Sequence, residues 1–136
     1  MYNDAKSMAW KRLSRYLDDS YEEFIYDKFE ICFQYAPVDN WNTVIADLVV
    51  IMKKRERWNT NVNYKVRQVK SKFGRLCFYV DNSDDFLAGA IRMAEEQCNK
   101  LCFTCDSYDK QKIQTGSFLP KKCTACYDKA KQDEKI

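Results

Sequence analysis

Histidine is absent from the 136-residue chain. That removes the commonest general base and the usual partner of a nucleophilic cysteine, so acid–base or Cys–His catalysis is disfavoured and the chain is not expected to be an enzyme. Glycine and proline are scarce, at three and two residues, which argues against extended disorder. No glycine-rich phosphate loop and no internal repeat is visible. The longest apolar run, Val44 to Met52, is broken by Asp47 and is too short and too polar to span a bilayer, so no membrane association is expected. The opening Met1-Tyr2-Asn3-Asp4-Ala5-Lys6 lacks the cationic start and apolar stretch of a secretory signal, which points to a reducing, cytoplasmic setting.

Cysteine is plentiful by contrast, at seven residues. Four of them form two Cys-x-x-Cys pairs, Cys102/Cys105 and Cys123/Cys126, separated by 17 residues. A two-residue spacer lets both sulfurs of a pair reach one ion from a tight turn, and two such pairs at this separation match a tetrahedral zinc site. The expectation is one structural Zn2+ held by Cys102, Cys105, Cys123 and Cys126. Disulfides or a thiol-rich core are the alternatives. A catalytic zinc keeps an open coordination position, which four thiolates do not leave. A zinc deaminase would need a His- or Cys-x-Glu upstream and a proline directly before the cysteine pair; here Lys121 and Lys122 separate Pro120 from Cys123, and no Cys-x-Glu exists. Cys98 shares a helical face with Cys102, so it is either a spare thiol near the metal or a small buried hydrophobe; Cys32 and Cys77 read as core.

A hydrophobic content of 46%, with 15% aromatic, is ample for one packed domain. It divides into a helical and hairpin body, residues 1–101, and a metal lobe, residues 102–136. Residues 3–17 read as an amphipathic helix burying Ala9, Leu13, Tyr16 and Leu17. Ser20 and Glu23 have capping-box spacing ahead of a second helix, Tyr21 to Tyr35, on which Tyr26 and Tyr35, with Tyr2 upstream, are candidates for an exposed contact face. After a turn at Pro37, capped by Asp39 or Asn40, Trp41, Val44, Ile45, Leu48 and Met52 mark a third helix running to about Arg57. Val62, Tyr64 and Val66 then alternate with polar residues as a strand. Lys72-Phe73-Gly74-Arg75 is a turn with Gly74 at positive φ, and Leu76 to Val80 returns. A fourth helix, Asp84 to Lys100, buries Phe86, Leu87, Ala90, Ile91, Ala94 and Leu101, with Gly89 marking a close backbone approach. Between the cysteine pairs only Ile113, Phe118 and Leu119 are apolar cover, so metal is needed to fold the lobe. The charged tail after Tyr127 reads as frayed. The fold class expected is α+β: N-terminal helices, a β-hairpin, a further helix and a C-terminal four-cysteine, zinc-ribbon-like lobe.

Charge is unevenly placed. Asp39 to Arg75 holds nine basic residues against three acidic, whereas the flanking segments are net acidic. The candidate binding patch is Lys53, Lys54, Arg55, Arg57, Trp58, Lys65, Arg67, Lys70, Lys72 and Arg75. The third helix's own C-terminal dipole accounts for part of the run at Lys53–Arg57.

The segment Gln68-Val69-Lys70-Ser71-Lys72-Phe73-Gly74-Arg75-Leu76-Cys77-Phe78-Tyr79, with Ala94-Glu95 and the Cys102/Cys105 pair, resembles a group of small phage and prophage proteins of unassigned function. These carry a QVKxKFGxLRFY hairpin and a C-terminal cysteine knuckle. The resemblance spans Trp41 to Cys126 and departs at Cys77, Cys98 and Asp106, where arginine, serine and glycine are usual. It implies phage origin and fold but no activity. Two functions follow as expectations. One is a non-catalytic, zinc-stabilised binder that inhibits a host nucleic-acid-targeting complex, of anti-defence or anti-CRISPR type, with Asp18-Asp19 and Glu22-Glu23 entering a nucleic-acid groove on the host protein. The other is direct nucleic-acid binding through the basic hairpin patch, with Trp58, Tyr64, Phe73 and Tyr79 as stacking planes.

Overall fold

The computed structural model describes residues 2–31, 34–102, 112–113 and 122–134. It is an α+β fold: helices α1 (Tyr2–Leu13), α2 (Tyr21–Lys28) and α3 (Asn42–Trp58), hairpin strands β1 (Lys65–Lys72) and β2 (Arg75–Asp81), helix α4 (Asp85–Lys100), a second pair of short strands β3 (Lys112–Ile113) and β4 (Lys122–Cys123), and helix α5 (Thr124–Glu134). Among the described residues no helix is long and apolar enough to cross a membrane.

The third and fourth helices follow their periodicity. Val44, Ile45, Leu48, Val49 and Met52 of α3 are buried, as are Leu87, Ala94 and Cys98 of α4. Asp84 caps α4, its carboxylate accepting the Leu87 N–H at 2.9 Å. At the head of α3 the expected Asp39 or Asn40 side-chain cap is replaced by a single 3-10 turn, Asp39–Trp41. Beside it the buried Asn42 accepts the Tyr35 hydroxyl at 2.6 Å and donates to the Asp39 carbonyl at 2.8 Å.

The first two helices are shorter than their patterns predict. Helix α1 stops at Leu13, leaving Tyr16 exposed while Leu17 still packs into the core. Helix α2 stops at Lys28, and Phe29 then makes a parallel bridge to Val66. A second bridge joins Ala36 to Lys70, with the Ala36 N–H donating to Val69 and the Ser71 N–H donating to Ala36. The backbone after Lys28 is thus drawn onto the outer edge of β1, because strand hydrogen bonds there outweigh continuation of an eight-residue helix. The expected capping box does not form: Ser20 heads α2 without a side-chain cap and its hydroxyl turns back to Asp18. Tyr35 is buried rather than displayed, whereas Tyr26 is part-exposed and its hydroxyl shares a hydrogen bond with Ser7.

The hairpin closes through a two-residue turn with Phe73 at φ 54° and Gly74 at φ 77°. Positive φ at both central residues matches the right-handed twist of the strands, and Phe73 adopts a conformation usually left to glycine or asparagine. The register shifts between Val66 and Gln68, making Arg67 a bulge. That extra residue changes the phase of alternation, so Tyr64 and Val66 point inward before it and Val69 after it. Cys77, expected in the core, lies half-buried on the opposite face, and Cys98 is the buried small hydrophobe, its thiol pushed up to about 12 by burial and by nearby Glu95. Cys32 lies outside the described residues. Burial raises the Glu95 carboxyl above its ordinary range, against a lowering influence from the Phe78 backbone of β2.

Two expectations for α4 fail. Phe86 is exposed, because its position lies at the margin of the buried stripe and Arg55 covers its ring instead. Gly89 faces open space, with nothing near where a Cβ would stand, so no close approach explains it.

One buried cation was not foreseen. Lys28 has a side chain only 7% exposed; its ammonium pairs with Glu56 at 2.7 Å and donates to Asn63 Oδ1 at 2.8 Å. The other Glu56 oxygen accepts the Tyr64 N–H at 3.1 Å. This cluster ties the end of α2 to the last turns of α3 and to the approach to β1, with each charge matched as burial requires.

Candidate metal centre

Three of the four expected ligands converge. The sulfurs of Cys102, Cys123 and Cys126 lie within 4.8 Å of one another, and Cys102 and Cys123 are buried. Zinc–sulfur bonds of about 2.3 Å at tetrahedral angles place thiolates roughly 3.8 Å apart. The trio is therefore close enough to hold a metal ion after a small contraction. A disulfide would use two of these sulfurs and leave the third. Cys105 lies outside the described residues, and Cys98 is not in the cluster.

Each ligand is positioned by a different piece of backbone. Cys102 follows α4, and the Asn40 amide holds its carbonyl at 2.7 Å, locking it to the turn ahead of α3. Cys123 sits in β4, opposite Lys112 in the small antiparallel ladder with β3. Cys126 lies in the first turn of α5, where its N–H donates to the Cys123 sulfur at 3.5 Å. The charged tail, expected to fray, continues as α5 to Glu134. Phe118 and Leu119 lie outside the described residues; Ile113 is placed by the β3 backbone.

The basic residues behave differently. Lys53 donates to the Ser20 carbonyl and sits 4.2 Å from the Tyr21 ring centroid. Arg55 pairs with Asp84 at 3.3 Å and covers Phe86. Lys65 pairs with Asp27 and Glu30, and the bulged Arg67 with Glu30 and Asp81. Glu30 is held below the usual carboxylate range chiefly by its hydrogen bond and charge interaction with Lys65. Lys54, Arg57 and Trp58 are exposed at the end of α3; Lys70 is half-buried on β1; Lys72 and Arg75 flank the hairpin tip beside exposed Phe73. The run that reads as one patch in sequence is divided between internal ion pairs and two outward-facing groups.

Asp84 is the polar hub of this region. It accepts from Leu87 N–H, from the Tyr64 hydroxyl at 2.8 Å and from Arg55, and these bonds, the Leu87 one first, hold its carboxyl below the ordinary value of 3.8. Tyr64, expected as a stacking plane, is buried, and its hydroxyl is pushed up to about 12 by burial and then by Asp84. Nothing in the sequence flags this partnership except the cap position of Asp84.

Comparison with protein-family models, with curated proteins and with solved structures finds no match to this chain.

Proposed function

We propose that this chain is a non-catalytic binding protein, its C-terminal segment stapled by one structural zinc on Cys102, Cys105, Cys123 and Cys126, and its partner a protein or nucleoprotein complex of a host cell. The observation that carries the zinc reading is the convergence of Cys102, just past α4, with the Cys123/Cys126 pair at the β4–α5 junction. The hairpin motif supports phage origin, and inhibition of a host nucleic-acid-targeting complex, in the host cytoplasm, is the activity we assign to it. A protein partner is favoured over bare nucleic acid because Arg55, Lys65 and Arg67 already meet carboxylates within the chain. Affinity capture from host cells, with and without nuclease, tests the reading. A protein partner that survives nuclease is expected; recovery of nucleic acid with no protein would overturn it.

The second reading is direct nucleic-acid binding at the hairpin tip. It draws on Lys72 and Arg75 beside exposed Phe73, with exposed Tyr79 further along β2. A gel shift that weakens with salt and is lost in Lys72→Ala/Arg75→Ala would establish it.

A further inference from the structure

Helix α3 leaves Ile51 and Trp58 in solvent, at 36% and 85% exposure, and α4 leaves Phe86 and Met93, at 51% and 66%. Within each pair the two residues are two helical turns apart, so each pair shares one stripe. The helices are antiparallel. Arg55, near the end of α3, reaches Asp84 and Phe86 at the start of α4, whereas Asn40, just ahead of α3, holds Cys102 just past the end of α4. Arg55 lies on the Ile51–Trp58 stripe, and its guanidinium carbon is 4.8 Å from the Phe86 ring centroid. The two stripes therefore flank one seam, bridged by Arg55. Four large apolar side chains aligned in solvent differ from the singly scattered hydrophobics of an ordinary surface.

The charge around the seam is polarised. At the Trp58 end exposed Lys54 and Arg57, which form no ion pair among the described residues, outnumber the one exposed carboxylate there, Asp85 at the start of α4. Towards the other end exposed Asp47 and Glu96 offset exposed Arg92 and Lys100. A stable dimer buries about 800 Å² per partner, more than four side chains display, and a second copy would bring only that balanced end to face the cationic one. A single helix read through three or four anchors is the right size.

We propose that the α3–α4 seam docks one acidic amphipathic helix of a partner protein, whose apolar residues meet Ile51, Trp58, Phe86 and Met93 and whose carboxylates meet Lys54 and Arg57. This deepens the binding-protein reading and rests on it. Trp58 is the anchor: it offers the largest apolar surface of the strip, and tryptophan dominates the energetics of such contacts.

A displayed random library of helical peptides about four turns long, selected against the full chain expressed with zinc, tests this directly. The expected winners are net acidic with apolar residues at i, i+3 or i+4, and i+7. Trp58→Ala weakens them by about tenfold or more, and Lys54→Glu/Arg57→Glu turns the selection towards basic peptides. No enrichment, enrichment without acidic bias, or unchanged binding to Trp58→Ala overturns the proposal. Affinity capture from host cells with Trp58→Ala separates the two levels. Loss of the captured protein supports the seam; undiminished capture overturns the seam while leaving the binding-protein reading intact. Failure of even the unmodified chain to capture a protein overturns both.

Discussion

The body and the C-terminal segment are held by different physics. From Ala5 to Leu101 a continuous set of buried apolar side chains joins α1, α2, α3, the hairpin and α4. Beyond Leu101 the buried side chains among the described residues are Cys102 and Cys123, and α5 shows Ala125, Asp128, Lys129, Lys131 and Gln132 to solvent. A helix of 11 residues with that surface is marginal in water by itself. The body's stability thus comes from burial, and the C-terminal segment depends on whatever the cysteines hold.

Breaking that division has graded consequences. The largest is at the cysteines: Cys123→Ser should abolish metal binding and melt α5, since metal affinity in small thiolate sites is folding free energy of about 10 kcal/mol or more. Metal content and far-ultraviolet circular dichroism check this, and retention of a full equivalent of zinc would remove Cys123 from the ligand set. Next comes the buried pair in the body. Lys28→Met strands the Glu56 carboxylate, whose side chain is 15% exposed, and should cost about 3 kcal/mol in urea unfolding. Lys28→Met/Glu56→Gln should recover much of that, because Gln keeps an acceptor for the Tyr64 N–H. Neither variant should alter zinc stoichiometry.

Asp84→Ala follows, at about 2 kcal/mol, from loss of the helix cap and of the acceptor for the buried Tyr64 hydroxyl. Its pH signature has a definite sign. The Asp84 carboxyl is depressed in the fold, so its contribution is fully present above the ordinary value of 3.8 and disappears as pH falls through the lower folded value. Asp84→Asn should therefore flatten the acid limb of the stability curve; an unchanged limb would count against the hub. The smallest effect is at the surface. Arg67→Ala removes two part-exposed ion pairs and should change stability by under about 1 kcal/mol, measured by the same urea titration.

How much was legible in the sequence follows the same division. The seams of α3 and α4 were readable because a helical period over four turns admits few alternatives, and Gly74 marked the turn. The end of α2 was not, because Phe29 satisfies both a helical stripe and an edge contact with β1, and only the distant partner decides. The bulge at Arg67 and the burial of Lys28 were equally invisible: each depends on a tertiary neighbour, Glu30 and Asp81 in one case and Glu56 with Asn63 in the other. The reading of one basic patch overlooked those carboxylates, which lie far away in sequence. Within the cysteine cluster the Cys123/Cys126 pair was legible because a two-residue spacer brings its sulfurs together locally, whereas the meeting of Cys102 with that pair is made by the fold.

Hydrogen exchange of the full chain, with and without a zinc chelator, tests most directly whether the two regions are held separately. The expected result is that chelation removes protection from Thr124–Glu134 while the amides of Asn42–Trp58 keep theirs. Loss of protection in both helices together, or in neither, would contradict it.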